Sequence, residues 1–160
     1  MAVATAILSW VRHRRGTPLR PAVAKSALDV FATASVLGIL ILTLPPSIEA
    51  RRTLDLVPFR DIGRHTVRTQ MLANVVMYVP LGMFVPARIR RLDRPAAIVL
   101  FAAALSVVIE VLQFVFNLGR QTSITDVILN TAGAAIGYGL LTAGRALVTE
   151  RRAFARRSRR

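Results

Sequence analysis

Four long apolar stretches, almost free of charged residues, dominate the pattern of hydrophobic and polar positions along the chain. They cover residues 26–44, 70–87, 95–117 and 124–148. A stretch of about 20 apolar residues is long enough for a helix to cross the roughly 30 Å hydrocarbon core of a bilayer. Lipid offers no partner for free backbone groups, so each stretch must be helical. The pattern therefore predicts an all-α integral membrane protein built as a four-helix bundle.

These stretches divide the chain into three parts. We predict an N-terminal segment over residues 1–25, a transmembrane domain over 26–148 and a basic tail over 149–160. Within the first part, residues 2–13 are typical of a short interfacial helix with Trp10 at the level of the lipid head groups.

Charge then gives the bundle an orientation. The chain has a net charge of +14, and its arginines cluster before the first span, between the second and third, and after the fourth. By the positive-inside rule both termini are cytoplasmic, and loop 45–69 and turn 118–123 face outward. Aromatic residues are not interleaved with the arginines. The clusters therefore indicate topology and contact with anionic membrane lipid, with no nucleic acid as a partner.

Polar residues gather at the predicted outer end of the bundle. Glu110 and Gln113 lie near the end of the third span, and Asp126 and Asn130 near the start of the fourth. A carboxylate in hydrocarbon is costly, so this cluster is the candidate functional site. Because only a short turn joins these spans, they should be antiparallel neighbours. Counting outward from residue 120 places Glu110 level with Asn130.

The second span contributes two more polar residues at matching depths. Counted inward from residue 70, Asn74 comes level with Asp126, and Tyr78 with Glu110. In the loops, Arg120 is predicted to pair with Glu110 or Asp126, and Arg60 is a second candidate for holding an anionic group. The predicted ligand-binding residues are therefore Glu110, Gln113, Arg120, Asp126, Asn130, Asn74, Tyr78 and Arg60.

Several polar residues also have a purely structural interpretation. Ser123 and Asp126 fit a capping box at the start of the fourth helix. Gln113 and Asn130 can form hydrogen bonds between helices. Asp29 lies four residues after Lys25, which predicts an ion pair along one helix.

Metal and cofactor chemistry find no support in the sequence. Cysteine is absent, and His13 and His65 lie on opposite sides of the membrane by the predicted topology. We therefore expect no metal site, no thiol nucleophile and no cofactor.

The combined pattern of motifs resembles the VanZ-like family over about residues 30–140. The matching motifs are residues 54–61, Asn74-x3-Tyr78-x-Pro80-x-Gly82, Glu110-x2-Gln113, and Gly119-Arg120-x5-Asp126-x3-Asn130-Thr131-x-Gly133-x3-Gly137-Tyr138. Two positions depart from the family pattern, since Tyr78 stands where Phe is usual and Ser123 where many members carry Asp. The resemblance implies a multi-pass protein of the bacterial cell membrane and a link to teicoplanin resistance. It implies no defined enzymatic activity.

Three functions stay open on these residues. The first is a cell-envelope protein that binds a lipid-linked cell-wall precursor, a peptide or a glycopeptide on the outer side. The second is a structural or assembly subunit whose polar layer only packs helices. The third is an intramembrane enzyme with Glu110 or Asp126 as general acid or base on a lipid-linked substrate. The absence of a nucleophile motif argues against the enzyme.

The orientation is directly testable. A reporter domain fused after Arg91 should be cytoplasmic and one inserted at Gln121 external, because positive charge is retained on the cytoplasmic side. Activity of a reporter that functions on only one side of the membrane measures this. The opposite pattern would move the polar cluster to the cytoplasmic face.

Overall fold

The computed structural model describes residues 1–46, 53–60, 65–118 and 121–157. Within these ranges it consists of long helices and two short strands, with a single 3₁₀ turn at Arg90–Leu92. In chain order the elements are α1 (Ala2–Arg14), α2 (Leu19–Thr43), β1 (Thr53–Asp55), α3 (His65–Arg88), α4 (Pro95–Val115), β2 (Gln121–Ser123) and α5 (Ile124–Arg157).

Helices α2 to α5 are each long and apolar enough to cross a membrane. The chain is thus a multi-pass helical membrane protein, as the apolar pattern predicts. Helix α5 has 34 residues, and at a rise of about 1.5 Å per residue it is about 51 Å long. It is therefore longer than the roughly 30 Å hydrocarbon core. The segment predicted as a basic tail continues this helix as far as Arg157.

The two ends of the bundle differ in chemistry. At one end α2 and α4 finish, α3 and α5 begin, and the two strands lie beside them; we call this the ribbon end. At the opposite end, the basic end, α3 finishes, α4 begins and α1 packs against α2. Between the ends most of the interior is apolar, with Ile39, Leu81, Ile98, Ala102 and Ala134 fully buried.

Charged residues attach α1 to the rest of the bundle. Arg12 donates a hydrogen bond to Ser26 Oγ at 2.9 Å and forms an ion pair with Asp29. Asp29 also pairs with Arg88 at the end of α3. The predicted pair of Asp29 with Lys25 is therefore replaced, because tertiary packing brings two guanidinium groups to this half-buried carboxylate.

Helices α3 and α5 approach each other through glycine. A Cβ atom at Gly133 would lie 2.1 Å from the carbonyl oxygen of Val75, and one at Gly137 would lie 2.1 Å from that of Val79. On the facing helix, a Cβ atom at Gly82 would lie 2.0 Å from the carbonyl oxygen of Ala134. No side chain fits at these distances, so the small residues fix the separation of the two backbones.

The two strands form a parallel ribbon that the sequence analysis did not predict. Leu54 pairs with Thr122 and Asp55 with Ser123, so the segment after α2 joins the segment before α5. The sequence predicts residues 118–123 as a turn and 45–69 as a loop. Strands of three residues are too short to show the alternating periodicity of a strand.

The glycine contact predicts a selective loss of stability. Gly133→Ala should destabilise the bundle by about 1–3 kcal/mol or more, because the added methyl group overlaps the α3 backbone. Gly139→Ala on the same helix is the matched control, since a Cβ atom there meets nothing within 4 Å. Thermal unfolding in detergent measures both. Equal stability of the two variants would contradict the close packing.

Candidate functional site

Asp55 is the last residue of β1 and is buried, with 8% of its surface exposed. Its Oδ1 accepts a hydrogen bond from the Val57 backbone N–H at 3.0 Å, and its Oδ2 accepts one from Gln121 Nε2 at 3.3 Å. The first bond closes a turn after β1, and the second joins the two strands. The Arg60 guanidinium lies 3.9 Å from the same carboxylate. Asp55 thus shapes the ribbon and orients Arg60.

Asp126 lies in the first turn of α5 and binds across to α3. Asn74 Nδ2 donates a hydrogen bond to Asp126 Oδ1 at 2.6 Å. The partial positive charge at a helix N-terminus favours a carboxylate in this position. The structure therefore places Asn74 and Asp126 at one depth, as counting along the spans predicts.

Glu110 links α4 to the ribbon. Only 7% of its surface is exposed, and its Oε2 accepts a hydrogen bond from the Ser123 backbone N–H at 3.1 Å. Ser123 Oγ accepts a bond from the Thr125 N–H at 3.1 Å, so Ser123 caps α5 as predicted. Glu110 takes the position at the Ser123 N–H that the predicted capping box assigned to Asp126.

Further buried polar residues lie on either side of Glu110 along the bundle. Gln113 Nε2 donates to the Thr43 carbonyl oxygen at 2.8 Å, and Asn130 Nδ2 donates to Ser106 Oγ at 2.9 Å. Tyr78 is fully buried in the same region. The partner of Asn130 on α4, Ser106, therefore lies one helical turn away from Glu110. Counting from the turn missed this shift because it did not allow for the extended strand β2.

A small pocket opens at the ribbon end, between the ribbon and the first turns of α3 and α5. Its volume is about 70 Å³. Both acidic and basic groups reach it, together with amides and hydroxyls. The polar lining residues are Asp55, Arg60, Gln70, Gln121, Ser123, Thr125 and Asp126. We call it the polar pocket.

The predicted site residues separate into distinct positions around this pocket. Arg60 and Asp126 line the pocket, and Asn74 on α3 donates a hydrogen bond to Asp126. Asn130 and Tyr78 lie deeper in the bundle, and Gln113 lies at the ribbon end, where it bonds the last residue of α2. Glu110 lies between the two levels, and Arg120 lies outside the described residues.

Three residues of the site escaped the sequence analysis. Asp55 and Gln121 come together only through the ribbon, which pairs segments far apart in sequence. Ser106 lies four residues before Glu110 on one helical face, and this spacing was a usable signal. Among the described residues, no group of three His, Asp or Glu side chains is arranged to hold a metal ion.

The fold and the site define a multi-pass helical membrane protein with a buried polar layer beneath a small pocket. The VanZ/LLP1 family matches residues 30–146, and the chain belongs to this family. It is 34% identical over 93 residues to "Protein VanZ" of Enterococcus faecium, a match covering 56% of this chain. The chain spans 55% of the length of that relative. No solved structure shows a significant match.

The Ser106–Asn130 bond predicts energetic coupling inside the bundle. Ser106→Ala should destabilise the protein more when Asn130 is present than in an Asn130→Leu background, because it leaves the buried amide without its acceptor. We expect a coupling of about 0.6–1.7 kcal/mol. A double-mutant cycle of unfolding in detergent measures it. Thr142→Val removes an exposed hydroxyl towards the basic end. Its effect on the free energy of unfolding should simply add to that of Ser106→Ala. Additivity of Ser106→Ala with Asn130→Leu would disprove the coupling.

Proposed function

We propose that this chain resides in the bacterial cell membrane and binds a polar group of its ligand in the polar pocket, on the outer side. The observation that supports this is the gathering of Asp55, Arg60 and Asp126 around one opening. Convergent charged groups of both signs that line one opening are typical of a recognition site.

The size of the polar pocket limits which ligand groups it can hold. A cavity of about 70 Å³ holds a few water molecules or one small polar group, since one water needs at least about 10–15 Å³. A whole glycopeptide does not fit. A lipid-linked cell-wall precursor or a glycopeptide would therefore place a single charged or hydrogen-bonding group there. Through such binding the protein would contribute to teicoplanin resistance.

The distribution of charge supports the outward position of the pocket. The basic end carries dense arginine clusters in the described residues of α1, in the connection between α3 and α4, and in the last turns of α5. These clusters favour the cytoplasm. The polar pocket, at the other end, would then face the cell exterior.

The buried polar residues on either side of Glu110 favour a structural role for part of the predicted site. Gln113 and Asn130 are each buried and each donate a hydrogen bond to a neighbouring helix. The scaffold hypothesis explains these two residues well. It does not explain Arg60, whose side chain is 62% exposed and faces the polar pocket.

The position of Glu110 argues for binding over catalysis. Its carboxylate accepts the Ser123 backbone N–H, and it does not line the polar pocket. A general acid or base must reach the proton it transfers. Glu110 therefore supports the ribbon, in this proposal, and does not perform acid–base chemistry on a ligand in the pocket.

Asp126→Asn should abolish any protection against teicoplanin, because it removes the charge from the pocket while keeping the size of the side chain. Asp93→Asn is the matched control, since Asp93 pairs with Arg145 at the basic end. Growth inhibition by teicoplanin is measured in a susceptible host that expresses each variant, with the amount of protein in the membrane as a second readout.

The outcomes separate the three hypotheses. A binding protein loses protection with Asp126→Asn at normal abundance. A scaffold loses protection only in proportion to its abundance. Loss of protection by Glu110→Gln at normal abundance, with Asp126→Asn unaffected, would favour an enzyme and contradict the binding proposal.

A further inference from the structure

The ribbon has two chemically different faces. Paired residues of a parallel ribbon point to the same side, and successive residues to opposite sides. Leu54 and its partner Thr122 therefore share one face, whereas Asp55 and its partner Ser123 share the other. The Asp55 face borders the polar pocket. The Leu54 face borders a different cavity.

That second cavity is an apolar groove of about 260 Å³. We call it the ribbon groove. Leu54 and Leu56 form its wall on the ribbon, and Val107, Val111 and Phe114 form the opposite wall on α4. These α4 residues follow helical spacing and are 46%, 52% and 39% exposed, respectively. The groove therefore opens towards lipid.

The groove is large enough for part of one hydrocarbon chain. A methylene group is similar in size to a water molecule, which takes roughly 30 Å³ in the liquid. On the measure used for the polar pocket, in which one such group needs about 10–15 Å³, a groove of about 260 Å³ has room for a chain segment of several methylene groups. A segment of one chain fits between the ribbon and α4.

The polar pocket and the ribbon groove meet at Ser123, which lines both. Glu110 lines the groove and holds the Ser123 backbone through its carboxylate. One molecule that fills both cavities must carry a small polar group next to a hydrocarbon chain. The ribbon thus selects for an amphiphile.

Charge indicates which polar group this is. The Arg60 guanidinium is mostly exposed and approaches Asp55 only at 3.9 Å, the outer limit of an ion pair. Exposed pairs of this kind contribute little. Both carboxylates of the pocket are meanwhile engaged within the protein, Asp55 by the Val57 N–H and Gln121, and Asp126 by Asn74. Arg60 therefore presents donors that match the oxygens of a phosphate, which a guanidinium binds through two parallel hydrogen bonds.

We propose that the ribbon end binds a lipid phosphate, with the phosphate at Arg60 in the polar pocket and one hydrocarbon chain in the ribbon groove. This proposal rests on the proposed function, since it names the class of ligand for the same pocket. If ordinary bilayer lipid occupied the groove instead, binding would not depend on the chemistry of the lipid head group.

Dodecyl phosphate is a suitable probe, titrated below its micelle concentration into the full chain in a neutral maltoside detergent. Binding is followed by native mass spectrometry and by the thermal shift. Arg60→Gln should weaken binding by about tenfold or more, as expected for loss of hydrogen bonds between charged groups. Arg145→Gln, a similar change at the basic end, should leave binding unchanged.

The groove has its own matched pair of variants. Val107 and Val108 are neighbours on α4 with similar exposure, but only Val107 lines the groove. Val107→Trp should fill the groove and weaken dodecyl phosphate binding about tenfold, whereas Val108→Trp should not. If Val107→Trp fails to fold, Val111→Trp blocks the same groove. Inorganic phosphate should compete only weakly, because it lacks the chain.

Equal binding to wild type, Arg60→Gln and Val107→Trp would overturn the proposal, as would full competition by inorganic phosphate. The result does not depend on teicoplanin. If Asp126→Asn abolishes protection while the groove variants change neither protection nor binding, the proposed function stands and the lipid phosphate is excluded. If the probe binds as expected but Asp126→Asn keeps protection, the ligand class stands and the link to resistance fails.

Discussion

The bond from the Ser123 backbone N–H to the Glu110 carboxylate is the interaction on which the ribbon end depends. It attaches β2 to α4, and β2 in turn holds β1 through the parallel pairing. The same residue, Ser123, caps α5 through its side chain. A charge buried near hydrocarbon is costly unless hydrogen bonds compensate it. Glu110 therefore stabilises the ribbon and is itself stabilised by it, which accounts for an acidic residue in an otherwise apolar helix.

The large features of the fold follow from the sequence because they depend on long, repeated signals. Four apolar stretches predict four helices, and equal offsets from the span ends predict that Asn74 meets Asp126. The glycine spacing on α5 likewise predicts a close neighbour, which the structure identifies as α3. Each of these inferences uses helical geometry over many residues. An error of one position in a predicted helix boundary therefore changes the predicted neighbours little.

The details of the site depend on short segments and distant partners, which carry no comparable signal. Asp55 and Gln121 meet through strands of only three residues, and they lie 66 positions apart along the chain. Counting depth by helical rise fails where the chain becomes extended, so Asn130 meets Ser106 and not Glu110. Asp29 shows the same limit, because its arginine partners come from α1 and α3 and not from its own helix.

The ribbon also gives the bundle something that helices alone do not provide. A helix changes its chemistry gradually around its circumference, whereas successive residues of a strand point to opposite sides. Within three residues, β1 presents Leu54 to the ribbon groove and Asp55 to the polar pocket. Non-helical backbone near lipid is tolerated only when its hydrogen bonds are satisfied within the protein. The pairing of the two strands and the bond from Ser123 to Glu110 meet that requirement, so the bundle can place a polar and an apolar surface back to back at its end.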